Sequence, residues 1–325
     1  MLNRSFFFIP LVLLLFSGCG SGSASDDDTS DNSNTANTVD LKDIILTETS
    51  ADCADYVNSY TASVMDEQRS ISFTESVTIS VSDNSCTLTS NSIPNHDFND
   101  NTANFATNVA EVSQSLSIPR NPGLASSSTA LAQQQYDAIM INGVVLDILS
   151  AGCYNPSSNN ADGDGNTPVG CHDGETWLLD PLGTYRFGTD SHNAHTQPNG
   201  LYHYHGNPNA LFDDNPGPSG SPVIGFAADG FPIYGSYFLD SDSGTVRKAV
   251  SGYTLKNGSR PGPDASNPGG NYDGTYNNDY EFTNVGDLDP CNGMMVNGQY
   301  GYYVTDTYPW VIKCFSGTPD SSFGK

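Results

Sequence analysis

The chain has 325 residues, with 37 Asp and Glu against 11 Lys and Arg, and a formal net charge of -26. So few cations exclude a surface built to grip nucleic-acid phosphates. The same charge favours solubility after export and draws cations towards acidic loops, but it does not define a site.

At the N-terminus, Arg4 is followed by the apolar run Phe6 to Phe16 and then by Ser17-Gly18-Cys19. This pattern resembles the lipobox of bacterial lipoproteins, although Phe16 stands where an aliphatic residue is more usual. The run is too short to span a bilayer as a stable helix. Residues 1–19 are therefore expected to be a lipoprotein signal peptide with Cys19 as the lipidation site; an ordinary cleaved signal peptide is the alternative. Residues 20–40, rich in Ser, Asp, Asn and Thr, are expected to form a flexible tether. Residues 41–325 are expected to form the folded domain with its N-terminal extension. Gly20 gives no inner-membrane retention signal, so the expected address is the cell envelope, at the outer membrane, facing the periplasm or the cell surface. Membrane contact would be through the lipid anchor only.

Setting Cys19 aside leaves Cys53, Cys86, Cys153, Cys171, Cys291 and Cys314, an even set suited to an oxidising compartment. About fifteen pairings are open to six cysteines. Sequence proximity points to Cys53 with Cys86, Cys153 with Cys171 and Cys291 with Cys314. No two show the C-x-x-C spacing of a thiolate zinc site, so disulfides are the preferred reading.

Along the mature chain, Asp52 to Arg69 has helical spacing at Ala54, Val57, Tyr60, Val64 and Met65, whereas Ser76 to Val81 alternates as a strand does. Ile139 to Leu146 reads as strand, turn and strand around Asn142-Gly143. Ser221 to Ala228 and Gly301 to Thr305 supply further strands. With 32 Gly and 19 Pro, the expected fold is mostly β. It is a single domain of antiparallel strands, sandwich-like, with long ordered loops and one short N-terminal helix. The loop Asn160 to Asn166 resembles the first half of a calcium loop, but Cys171 stands where the closing Glu belongs. A solvated turn is the preferred reading there, with calcium as the alternative.

The chemistry concentrates at Leu201-Tyr202-His203-Tyr204-His205-Gly206. Alternate residues of a strand share a face, so His203 and His205 stand side by side, about 7 Å apart at the backbone. The preceding Gln197-Pro198-Asn199-Gly200 reads as a type I turn with Gly ready for the left-handed region, a three-residue hairpin loop. In that register Gln197 faces Leu201, His195 faces His203 and Asn193 faces His205, and three imidazoles converge. A two-residue loop would instead bring His192 opposite His205; Gly200 favours the first register. Tyr202 and Tyr204 then pack on the other face with their hydroxyls on polar partners. His172, beside Cys171, reads as a loop histidine.

Further motifs are spread along the chain: Ile93-Pro94-Asn95-His96, Ile141-Asn142-Gly143-Val144, Asn193-Ala194-His195, Ile224 to Gly235, Tyr272 to Tyr276, Asp279-Tyr280, Asp287-Leu288-Asp289 with Cys291-Asn292-Gly293, and Tyr302 to Pro309. In this order, over roughly residues 90–317, they resemble the YHYH-domain family of bacterial exported proteins. The resemblance implies a shared domain and carries no reaction with it. Ser92 stands where similar sequences often have Gly, and His192 is an additional histidine that competes as a ligand.

Three neutral imidazoles plus water make an open zinc site; a fourth from His96 would close a tetrahedral zinc site or suit copper. Asp229, where a buried strand ends in a turn, is a candidate to orient an imidazole, with a turn hydrogen bond as its simpler role. The expected function is an exported lipoprotein that binds a transition metal, copper or zinc, through His195, His203 and His205, with His96 as a further candidate. Two alternatives stand beside it. One is a metal-dependent hydrolase acting on a small or glycan substrate, the other a surface adhesion or carbohydrate-binding module.

Overall fold

Alternation of apolar and polar residues builds the first sheet. In the computed structural model, which describes residues 38–185 and 188–325, β1 (Thr38–Asp40), β2 (Asn58–Asp66), β3 (Ile71–Val81), β4 (Ser85–Ser90) and β5 (Gln114–Pro119) lie side by side in that order. On β3 the residues Glu75, Val77 and Ile79 turn inward while their neighbours face water, the period-2 pattern of a half-buried strand.

The expected helix over Asp52 to Arg69 is not formed. A single 3-10 turn, Cys53–Tyr56, is capped by the Asp52 carboxylate, which accepts from Ala54 N at 3.0 Å, and β2 follows directly. Ala62, Val64 and Asp66 point into the protein, whereas Val57 and Met65, which a helix would have buried, are exposed. β2 pairs along its whole length with β3, so a long-range ladder overrides the local 3.6-residue spacing. Thr38 to Asp40, expected to belong to the tether, instead pair in parallel with Ser59 to Thr61; the rest of the expected tether lies outside the described residues. The lipobox and Cys19 lie outside the described residues. Among the described residues no helix is long and apolar enough to cross a membrane.

The second sheet has eight strands: β6 (Ala138–Met140), β7 (Val145–Leu146), β8 (Ala194–Thr196), β9 (Tyr202–Tyr204), β10 (Val223–Ala227), β11 (Pro232–Tyr234), β12 (Gly293–Val296) and β13 (Gln299–Tyr303). Their spatial order is β8-β9-β7-β6-β10-β11-β13-β12. Most neighbours are antiparallel, as expected, but β9 runs parallel to β7 and β11 parallel to β13. The expected hairpin over Ile139 to Leu146 is β6, a turn at Asn142-Gly143 with Gly143 at φ +73°, and β7.

Both sheets contribute to one hydrophobic core, with Val77, Ile79, Leu88 and Leu116 from the first and Ile139, Val145, Tyr204, Phe226 and Tyr302 from the second. The turn between β6 and β7 seats on the first sheet: Ser90 Oγ donates to Gly143 O at 2.6 Å. A Cβ on Gly143 would come within 2.6 Å of both Val77 and Ser90. The three disulfides are those favoured by proximity, Cys53–Cys86, Cys153–Cys171 and Cys291–Cys314. Ser92 holds φ +60°, a left-handed conformation that glycine adopts at less cost.

Candidate metal centre

The β8–β9 turn decides which imidazoles meet. Gly200 N donates to Gln197 O and Gln197 N to Leu201 O, both at 2.9 Å, with Gly200 at φ +87°. This is the three-residue loop, and it pairs His195 with His203. His205 N donates to Asn193 O at 2.8 Å, so the register continues past the strand ends.

The three rings then form a nearly regular triangle, with centroids 4.9 Å apart for His195 and His203 and 4.8 Å apart for the other two pairs. Their Nε2 atoms point inward. His203 Nε2 and His205 Nε2 are 3.1 Å apart, as are His205 Nε2 and His195 Nε2, and all three residues offer a nitrogen within 4.8 Å of the others. His203 and His205 are buried and His195 is half-buried.

The spacing fits an ion. Two nitrogens bound at about 2.05 Å and separated as these are would subtend about 98° at the metal, between octahedral and tetrahedral values. The same 3.1 Å is a hydrogen-bond distance for a ring protonated on Nε2. His203 Nδ1, however, lies 3.3 Å from Leu201 O, which favours the proton on Nδ1 and leaves Nε2 bare. His205 Nδ1 is buried without a well-formed hydrogen bond, although the backbone at Ile148 and Asp147 offsets part of its desolvation.

Burial keeps His203 and His205 deprotonated. Burial, followed by the neighbouring imidazoles, pushes His203 well below the ordinary histidine range, and burial followed by His195 does the same to His205. Lys325 acts in the same direction on both. Neutral imidazoles with free lone pairs are the state a metal requires.

Sequence reasoning missed the carboxylate beside this triad. Because β9 pairs in parallel with β7, with His203 opposite Val145, Asp147 falls on the same face as the imidazoles. Its Oδ2 accepts from Gln197 Nε2 at 2.9 Å and from Lys325 Nζ. Asp137 lies next to it in the sheet, and burial followed by repulsion from Asp147 raises the Asp137 carboxyl well above its usual range. Asp147 is two residues beyond Val145 in an otherwise apolar run; only its partner strand, remote in sequence, assigns it to this site.

His96 is not brought to the triad. Its Nε2 is 2.7 Å from the Tyr204 hydroxyl and its Nδ1 2.8 Å from Asp97 O, so both ring nitrogens are engaged on the opposite face of β9. His192 is stacked on His96, centroids 3.5 Å apart, with Nδ1 at 2.7 Å from Pro208 O. The tyrosines behave as expected of core residues. The Tyr202 hydroxyl donates to Asp190 at 2.8 Å, and Tyr204 takes a bond from Asn142 Nδ2 at 2.9 Å.

Asp229 is likewise elsewhere: its carboxylate accepts from the Tyr302 hydroxyl at 2.6 Å and from Gly317 N and Phe231 N, fastening the turn. His172 is exposed. In the loop 160–166, Asp162 Oδ1 accepts from Asp164 N and Asn166 N, as an Asx turn does. Asp52, Cys53 and Cys86 also cluster, but both sulfurs are committed to a disulfide.

No curated protein and no solved structure matches the chain. A family model described as YHYH protein matches residues 115–317, more than half of the chain. The matched span contains all three triad histidines, Asp147 and Gln197, and begins after Ile93-Pro94-Asn95-His96. The chain therefore belongs to the YHYH protein family.

Proposed function

We propose that this protein binds a transition metal ion, copper or zinc, through His195, His203 and His205, and works as an exported lipoprotein anchored at the cell envelope through Cys19. The observation that carries the reading is the convergence of three Nε2 atoms, two of the contacts at 3.1 Å, in a setting that holds the buried rings neutral. Nitrogen donors alone suit zinc and copper better than calcium or magnesium. Handling or sensing of the metal in the envelope is the activity this supports. The three disulfides agree with an oxidising compartment.

A metal-dependent hydrolase acting on a small or glycan substrate is the second reading. It is favoured by the ligand count, since three protein ligands leave a coordination position open, and by the half-exposed edge at His195. A bound zinc with water in that position supplies hydroxide near neutral pH. Asp147, held by Gln197 and Lys325, is the carboxylate on the same face.

Elemental analysis of protein purified without added metal, compared with His203→Ala, tests the proposal. One equivalent of copper or zinc in the parent, lost in the variant, supports it; no metal in either protein counts against it.

A further inference from the structure

A cleft lies towards the other end of the eight-stranded sheet from the histidine triad. It has a volume of about 320 Å³ and is lined by residues of β11, β12 and β13, of the segments before β2 and before β10, and of the strand Tyr237–Asp240, among them Tyr234, Tyr303, Phe238, Asn297, Gln299 and Ser221. β11 and β13 lie four and five strands from β9, roughly 20 Å or more at ordinary strand spacing. The cleft is therefore separate from the histidine triad.

Its chemistry is uniform. Tyr234 and Tyr303 stack with ring centroids 5.1 Å apart, and Phe238 meets the edge of Tyr303 at 6.2 Å. A Cβ on Gly301 would come 2.5 Å from Tyr234 Cε2, so the glycine lets this ring lie flat against β13. The Asn297-Gly298 turn between β12 and β13, with both residues at positive φ, fixes Asn297 at the rim. Neither the Tyr234 nor the Tyr303 hydroxyl makes a hydrogen bond to another described residue, although Tyr303 is buried and Tyr234 half-buried. Burial holds both phenols protonated, Tyr234 at about 12 and Tyr303 higher still, so both remain donors.

No lining residue carries a charge. The charged groups behind the lining are already paired: Arg247, over the Phe238 ring, with Asp240 and Asp287, and Lys248, over the Tyr237 ring, with Asp214 and Asp306, so a charged ligand would have to compete with these ion pairs for a partner. Aromatic faces beside unpartnered hydroxyls and neutral amides match a ligand that offers C–H faces and hydroxyls without charge. The volume is near the lower end of small-molecule clefts, roughly 300–1,000 Å³. We propose that this cleft is a binding site for an uncharged saccharide, of the size of one or two sugar rings, independent of the metal centre.

Calorimetric titration of the purified full chain with cellobiose, xylobiose, chitobiose, maltose and lactose, and with digalacturonate as the charged control, tests this. Saturable binding of at least one neutral disaccharide is expected. Tyr234→Phe and Asn297→Ala should each weaken it about three- to tenfold, the effect of one lost hydrogen bond, while His203→Ala leaves it unmoved. The proposal is overturned if no neutral disaccharide binds, if digalacturonate alone binds, or if neither cleft substitution changes the affinity. Metal content read on the same samples separates this result from the fate of the triad.

Discussion

Gly200→Ala should cost the protein both stability and metal affinity, because one glycine sets the register that brings His195 to His203. Gly200 holds φ +87°, and a Cβ there would stand 2.8 Å from Ala110 Cβ, 2.9 Å from Asn108 O and 3.1 Å from Ala110 N. The left-handed conformation costs an L-residue roughly 1–2 kcal/mol. Forcing a methyl group against backbone atoms adds roughly 1–3 kcal/mol. The expected loss is about 2–5 kcal/mol in urea unfolding of the metal-free protein, with the disulfides intact. Any relief by movement of the turn shifts His195 against His203 and His205, so metal affinity should fall about tenfold or more. Gly123→Ala, where a Cβ meets nothing within 4 Å, serves as the control and should change stability by less than about 1 kcal/mol. A Gly200→Ala variant that matches the parent in both unfolding midpoint and metal affinity would refute the argument from the turn.

Glu75 is fully buried with neither carboxyl oxygen hydrogen-bonded, and burial raises its pKa from 4.5 to about 8. Because the folded value lies above the unfolded one, its contribution is fully present below pH 4.5 and is lost as pH rises through 8. Glu75→Gln should thus match the parent near pH 4 and exceed it by about 3 kcal/mol at pH 7; equal stability curves across that range would contradict this. Tyr204→Phe strips a partner from both His96 Nε2 and Asn142 Nδ2, so it should destabilise by about 1–3 kcal/mol. Its metal stoichiometry should stay at the parent level, and loss of metal would place His96 and Tyr204 in the binding site after all. Lipid attachment is read by metabolic labelling with a radioactive fatty acid, where Cys19→Ala should abolish incorporation; label retained in that variant would rule out Cys19 as the anchor.

The triad was legible in the sequence because every constraint that forms it is local. Gln197-Pro198-Asn199-Gly200 specifies a loop length, the loop specifies a register, and the period of two carries it to the histidines. The β6–β7 hairpin and the disulfides between near neighbours were readable for the same reason. What sequence did not disclose depends on partners distant along the chain. β2 has helical spacing, yet it is a strand because β3 pairs with it over nine positions. Asp147 joins the triad face only through the parallel contact of β7 with β9. His96 carries a motif that looked like a ligand contribution, but it arrives on the Tyr204 side of β9. A histidine's residue type does not report which face of a strand it will meet.

X-ray absorption at the metal edge of protein loaded with one equivalent of zinc or copper examines the triad most directly. Three imidazole nitrogens at about 2.0–2.1 Å, with one lost in each of His195→Ala, His203→Ala and His205→Ala, is the expected first shell. An oxygen-only shell, or a spectrum unchanged by all three substitutions, would mean that the ion sits elsewhere and that the converging rings serve only the core.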